Sequence, residues 1–217
     1  MRLTYLGHAS FLIERSDGLK ILMDPYEPNA FDGKILFGIY EGKVDIVVST
    51  HDHKDHFYMD PVFGDPIVVK ESKEVKGIKF KGIKVPHDPE GGRLRGMVTA
   101  FIFEIDGLIF AHLGDIGIVP DKKLLEEFGK IDVLMLPVGG VFTIDPAQAV
   151  ETAEAIAPLA IIPMHYRHPK VGFPLASRDE FLKLAPWPVQ DLNGKSLIPT
   201  PDTQPNGTTI FLMEPIL

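Results

Sequence analysis

The chain has 217 residues, 45% of them hydrophobic and 24% charged, the balance of one compact domain spanning residues 1–217 with a sizeable core. A formal net charge of −8 argues against a nucleic-acid or anionic-membrane partner. Cysteine is absent, which excludes disulfides, thiolate ligands and a cysteine nucleophile, so any bound metal must be held by nitrogen and oxygen.

In chain order, Arg2–Leu6 reads as a strand rather than a basic-then-apolar leader, and no apolar run is long enough to span a bilayer. A cytoplasmic protein is the expectation. An internal repeat follows. Ala9-Ser10-Phe11-Leu12-Ile13-Glu14 parallels Thr99-Ala100-Phe101-Ile102-Phe103-Glu104, and each is followed by Asp-Gly-Leu, at Asp17 and at Asp106. Each half then carries an apolar run ending in Asp24 or Asp115, and a second block, Gly42-Lys43-Val44-Asp45-Ile46 or Gly129-Lys130-Ile131-Asp132-Val133. Asp-Gly between strand-like runs is a hairpin signal, so both halves read as hairpin, connection, strand, and duplication predicts two similar layers packed face to face.

Residues 27–42 lack periodicity and read as a surface loop. Its apolar members Phe31, Ile35, Leu36, Phe37, Ile39 and Tyr40 suit either a lid or the interface of a homo-oligomer. Helices are predicted from Asp121 to Phe128, from Asp145-Pro146 to before Pro158, and from the capping box at Ser177-Arg178-Asp179-Glu180 through Leu184. Leu159–Met164 and Thr208–Met213 read as strands, and 186–206 as a second surface loop.

The chemistry concentrates in Thr50-His51-Asp52-His53-Lys54-Asp55-His56, directly after the apolar run Val44–Ser49. Alternate residues of an extended segment point the same way, so His51 and His53 can share one centre. Asp55 and His56, beyond the turn, can face a second centre nearby. If Asp24 closes its strand on the metal side, the antiparallel partner begins there and the Gly7-His8-Ala9 turn lies at the same edge. The second repeat places the loop Gly91–Gly96 there as well, beside His87 and opposite Asp115. Strand ends thus deliver the histidine run, Asp115 and His165, and loops deliver His87 and His8.

Those residues carry a resemblance. The run from Thr50 to His56 matches the His-x-His-x-Asp-His signature of the metallo-β-lactamase superfamily. More narrowly, the chain resembles its branch of metal-dependent hydrolases that includes ascorbate-6-phosphate lactonase. Leu6-Gly7-His8-Ala9-Ser10, Met23-Asp24-Pro25, Val85-Pro86-His87, Leu113-Gly114-Asp115 and Ile162-Pro163-Met164-His165-Tyr166 follow in family order, over about three quarters of the chain. The resemblance implies an α/β fold, the αββα four-layer sandwich of two similar halves. It implies two divalent metal ions, zinc first with manganese or iron as alternatives: His51, His53 and His87 on one, Asp55, His56 and His165 on the other, Asp115 between. The implied activity is hydrolysis of a small anionic ester, lactone or phosphodiester by a hydroxide shared between the ions, with Asp55 also receiving or relaying the proton.

Around this set, Asp24 is expected to accept a hydrogen bond from a ligand histidine, and His8 to contact substrate or a ligand. Arg93, Arg95, Arg167, His168 and Lys170 fall in loops predicted at the mouth, where cations suit an anionic group. A β-lactamase proper is disfavoured by the missing leader and cysteine, and a glyoxalase-II-like thioesterase by the short remainder after His165. A nuclease is disfavoured by the acidic charge, and an iron-based oxygen reductase by His53, where such enzymes carry glutamate. The alternative from another class is a non-catalytic metal-binding or sensor protein.

Overall fold

A computed structural model describes residues 1–194, 196–197 and 207–217. Two sheets form where the sequence alternates or runs apolar. The first orders β1 (Arg2–Gly7), β2 (Ser10–Glu14), β3 (Lys20–Met23), β4 (Ile46–Val48) and β5 (Ile67–Val69) side by side. The second contains β6 (Lys73–Val75), β7 (Ile78–Pro86), β8 (Met97–Ile105), β9 (Leu108–His112), β10 (Val133–Pro137), β11 (Ala160–Met164), β12 (Val189–Asp191) and β13 (Thr209–Leu212). Its order is β12-β13-β11-β10-β9-β8-β7-β6.

The repeat is visible in the pairing. β2 and β3 are antiparallel and β3 and β4 parallel; β8 and β9 are antiparallel and β9 and β10 parallel. In the second hairpin Asp106 and Gly107 both take positive φ (51° and 81°), the two-residue turn whose twist suits antiparallel strands. The first hairpin is longer, and its Ser16 reaches across to donate to the Asp106 carboxylate.

Side-chain alternation sorts the five-stranded sheet into two faces. Phe11, Ile13, Ile21, Met23, Ile46 and Val48 join the main core between the sheets, whereas Leu12, Leu22 and Val47 pack outward with Phe63. The main core continues through the larger sheet to Ala149, Ala153 and Phe181 on α3 (Pro146–Ile156) and α4 (Arg178–Leu184). The layer over the smaller sheet is thin, made by the 3₁₀ turn Pro61–Phe63 and by Tyr40, Phe57 and Met59 from loops.

The predicted helices form where their caps stand. Asp121 Oδ1 accepts from Leu124 N–H at the start of α2 (Lys122–Phe128), and Asp145 and Gln148 form a reciprocal capping box on α3. Glu180 accepts from the Ser177 N–H and hydroxyl at α4.

Two loop expectations need correction. Within 186–206, Val189–Asp191 form the edge strand β12 beside β13; three exposed residues carry no apolar period to announce them. The part of that loop at 195 and 198–206 lies outside the described residues. Segment 27–42 contains a single helical turn, α1 (Ala30–Gly33), with Phe31 and Asp32 at positive φ inside it. Its Ile35 and Phe37 are turned inward onto Val171 and Leu175, so much of its apolar character serves local packing.

β1, β3, β4, β7, β9 and β11 all end at one edge, and there the histidines and aspartates gather. His87 stands directly after the nine-residue β7, so it is a strand-end residue rather than a loop one. Because the inter-sheet layer holds the two strand sets in register, Phe11→Ala is expected to lower unfolding stability by about 3–5 kcal/mol. Leu184→Ala on the exposed side of α4 should change it by less than about 0.5 kcal/mol. Urea denaturation of both variants checks the contrast.

Candidate metal centre

Three residues leave their strands in the left-handed region: His8 after β1 (φ 54°), Asp24 after β3 (φ 42°) and His165 after β11 (φ 52°). Histidine and aspartate tolerate that conformation better than most side chains, yet each instance stores on the order of 1–3 kcal/mol of strain. Cross-sheet contacts hold the strained residues. The His165 N–H donates to the His8 carbonyl at 2.8 Å, and the Thr99 N–H on β8 donates to the Thr50 carbonyl at 2.9 Å. Gly139 passes so close to His165 that a Cβ there would lie 2.1 Å from its carbonyl oxygen.

Asp24 is fully buried and organises the run that follows β4. Its Oδ1 accepts from the Thr50 N–H (2.8 Å), and its Oδ2 accepts from the Thr50 hydroxyl (2.7 Å) and from His56 Nδ1 (2.8 Å). Burial opposes its ionisation, but the neighbouring imidazoles of His112 and His56 outweigh that and hold its pKa below the usual carboxylate range. Donation of His56 Nδ1–H to Asp24 makes Nε2 the nitrogen that faces inward and offers a lone pair once its proton is displaced. The Thr50 hydroxyl, having given its proton to Asp24, accepts from His51 Nδ1 at 3.0 Å, so His51 Nε2 is freed in the same way. One carboxylate therefore sets two ligand tautomers, and Thr50 is the relay that sequence reasoning did not single out.

The donor atoms fall into two main groups, with a third, His51, His56 and Asp115, overlapping both. His51, His53 and His87 form one, with His51 Nε2 only 2.9 Å from His53 Nδ1. Asp55, His56 and His165 form the other, joined by His8, and each group's donor atoms lie within 4.8 Å of one another. Asp115 stands between: its Oδ2 is 3.6 Å from His87 Nε2 and 3.5 Å from His165 Nε2, and its Oδ1 is 3.2 Å from His56 Nε2. Gly114, with φ 55°, makes the turn that delivers it, and the Gly114 N–H is held by Nδ1 of His112, whose Nε2–H donates to the Ala9 carbonyl. His112 is thus a satisfied core histidine.

The electrostatics suit cation binding. Burial pushes His51 and His165 down to about 3 and lowers His87, so these imidazoles are neutral near pH 7, the form that ligates. Burial opposes charge on His56 too, but Asp115 and Asp55 outweigh it and raise His56 well above its ordinary value. A metal must therefore displace a proton there. Asp115 and Asp55 stay ionised despite burial, held low chiefly by His165 and His56 for the first and by His56 and His8 for the second. An Asp55 held so low is a good ligand and a weak proton acceptor. His56 Nε2 and Asp115 Oδ1, 3.2 Å apart, are buried and find no other partner in the protein, so an ion would satisfy both.

His8 sits deeper than a mouth residue: its Nε2 is 3.1 Å from Asp55 Oδ2 and its ring lies 4.1 Å from that of His165. Of the cations expected at the mouth, Arg95 alone is among the residues lining the metal-facing cleft. Arg93 pairs with Glu90, Arg167 with Glu180 (3.6 Å), and His168 stacks on Phe37. Arg167 and His168 line a neighbouring hollow instead, and Lys170 donates to the Leu217 carbonyl. Arg95 owes its place to Asp88, a buried carboxylate that accepts backbone N–H groups of Glu90, Gly92, Leu94 and Arg95. Asp88 carried a faint sequence signal, an aspartate opening a glycine-rich turn.

Residues 2–165 match the Beta-lactamase superfamily domain family. A metal-dependent hydrolase of the UPF0173 group from Aeropyrum pernix is 33% identical over 202 residues, covering 76% of this chain and 82% of the relative. A crystal structure of a Thermotoga maritima protein of the metallo-β-lactamase superfamily superposes with a TM-score of 0.76 at 32% identity, covering 98% of this chain and 97% of that one. A metallo hydrolase from Ignicoccus hospitalis superposes at 0.59 with 25% identity, covering 84% and 89%. The chain belongs to the metallo-β-lactamase superfamily. Within it, the chain is one of the UPF0173 metal-dependent hydrolases. Among the described residues no helix is long and apolar enough to cross a membrane.

His51→Ala and Asp115→Asn are each expected to purify with less metal than the parent protein by elemental analysis; retention of the full complement by both would overturn the ligand groups. Asp24→Asn leaves every donor in place but loosens His56 and Thr50, so metal affinity should fall by about 10–100-fold. Competition with a chromophoric chelator measures that loss.

Proposed function

We propose that the protein hydrolyses a small anionic ester, lactone or phosphodiester with two divalent metal ions, zinc first and manganese or iron as alternatives. One observation carries this reading: Asp115 Oδ2 lies at nearly equal distance from His87 in one donor group and His165 in the other, which is where a shared ligand belongs. On this reading His51, His53 and His87 hold one ion, Asp55, His56 and His165 the other, and Asp115 both. When bound, the ions supply Lewis acidity toward the substrate oxygen and an acidified water.

The chain's own residues do the rest. Asp24 and Thr50 fix the tautomers of His56 and His51. His8 donates to Asp55 and holds its carboxylate in place. Arg95 meets the anionic group of the substrate, and a cleft of about 310 Å³ supports a small molecule in preference to a polymer. The chain's resemblance to the branch that includes ascorbate-6-phosphate lactonase keeps lactones among the candidates, with the cytoplasm as the compartment.

Turnover of bis(p-nitrophenyl) phosphate, p-nitrophenyl acetate and a panel of phosphorylated metabolites and lactones tests this. Activity should disappear on chelation, return with Zn²⁺ or Mn²⁺, and fall by at least about 100-fold in Asp115→Asn. Protein that binds its ions yet turns over nothing across the panel would favour the non-catalytic binding reading.

A further inference from the structure

The metal-facing cleft is more apolar than an anionic metabolite alone requires. It is walled by three phenylalanines from three separate loops: Phe31 before β4, Phe142 after β10 and Phe173 after β11. Phe173 is the middle ring, edge-on to Phe31 (centroids 5.5 Å apart, 66°) and to Phe142 (5.4 Å, 79°). None of the three is buried, and Phe31 is 38% exposed. The Arg95 guanidinium lies 5.4 Å from the centroid of Phe142, and across the same cleft stand His53, Asp55 and His87.

The backbone is strained to achieve this. Phe31 takes φ 54° inside a helical turn, and Val141, immediately before Phe142, takes φ 64°, a conformation that β-branched residues avoid. Two strained positions that each present an aromatic ring to one cleft point to a ligand, since strain persists where the surroundings hold it for a function. Phe142 and Phe173 line the cleft, so a flat apolar group that enters it meets aromatic rings, contacts that such rings favour edge-to-face or offset. Among the described residues Arg95 is the one cation lining the cleft itself, while Lys34 Nζ lies 5.3 Å from the centroid of Phe173 at its border.

We propose that this cleft selects a substrate in which an anionic group, placed beside the metal centre and paired with Arg95, carries an aryl group packed against Phe142 and Phe173. Arg95 reads the charge, the phenylalanines read the ring, and Asp88 holds the Arg95 loop in position. A sugar phosphate or a small aliphatic ester leaves the apolar wall in contact with water. The proposal rests on the hydrolase reading only for the placement of the reacting group. Its test reads binding and not turnover, so the two can fail separately.

Isothermal titration of the zinc-loaded protein with phenylphosphonate and with methylphosphonate is the experiment. Both probes offer the same anionic head, so their ratio isolates the ring. Phenylphosphonate is expected to bind at least about tenfold more tightly, a ratio that Phe173→Ala and, independently, Phe142→Ala reduce to roughly twofold. Phe173→Leu, which keeps the apolar volume and the fold, should give an intermediate ratio. Arg95→Gln should weaken both probes by a similar factor of about ten and leave the ratio intact. Metal content and melting temperature of each variant confirm that the centre and fold survive. Equal affinity of the two probes for the parent protein, or a ratio unchanged in all three phenylalanine variants, overturns the proposal.

Discussion

The buried carboxylate of Asp24 is the constraint on which the metal centre depends. It sits in a strained backbone at the end of β3 and accepts three hydrogen bonds from the segment that follows β4, two from Thr50 and one from His56. An anion in that position must be fully satisfied, because an unpaired buried charge would cost several kcal/mol. The run from Thr50 to His56 supplies the donors, and in doing so gains its shape. His56 is aimed into one donor group and, through the Thr50 hydroxyl, His51 into the other. Two sites are thereby coupled by one side chain that faces neither.

The fold makes this arrangement possible by bringing six strand ends to one edge. The segment after β4 contributes Thr50, His51, His53, Asp55 and His56 and the other strand ends one or two polar residues each, so no single element carries the centre. The inter-sheet core fixes where the edges lie, and the cross-sheet bonds from Thr99 to Thr50 and from His165 to His8 fix how they meet. The strain at His8, Asp24 and His165 is tolerable because the surrounding packing is continuous.

Much of this was legible in the chain. The repeated hairpin-connection-strand pattern foretold the mirrored pairing of β2-β3-β4 and β8-β9-β10, and strand direction alone placed His8, Asp24, Asp115 and His165 at one edge. What escaped was of two kinds. Short edge pairing such as Val189–Asp191 carries no periodic signal, because exposed residues with one neighbour are under no hydrophobic constraint. Side-chain directions also escaped. Arg93, Arg95 and Arg167 look alike in sequence, yet local partners claim the first and third, and Asp88 orients the loop of the second. These partners lie close in sequence, but which carboxylate claims which cation is set by the folded path of each loop. Thr50 escaped because its role is defined by Asp24, a residue on another strand.

The central claim is that the two donor groups are two metal positions sharing Asp115. Anomalous X-ray diffraction from crystals grown with zinc tests it most directly. The account predicts two peaks, one at about 2.0–2.2 Å from nitrogens of His51, His53 and His87, the other at similar distances from Asp55, His56 and His165, with Asp115 in contact with both. A single peak at full zinc loading, or peaks that leave Asp115 outside coordination distance, would contradict it.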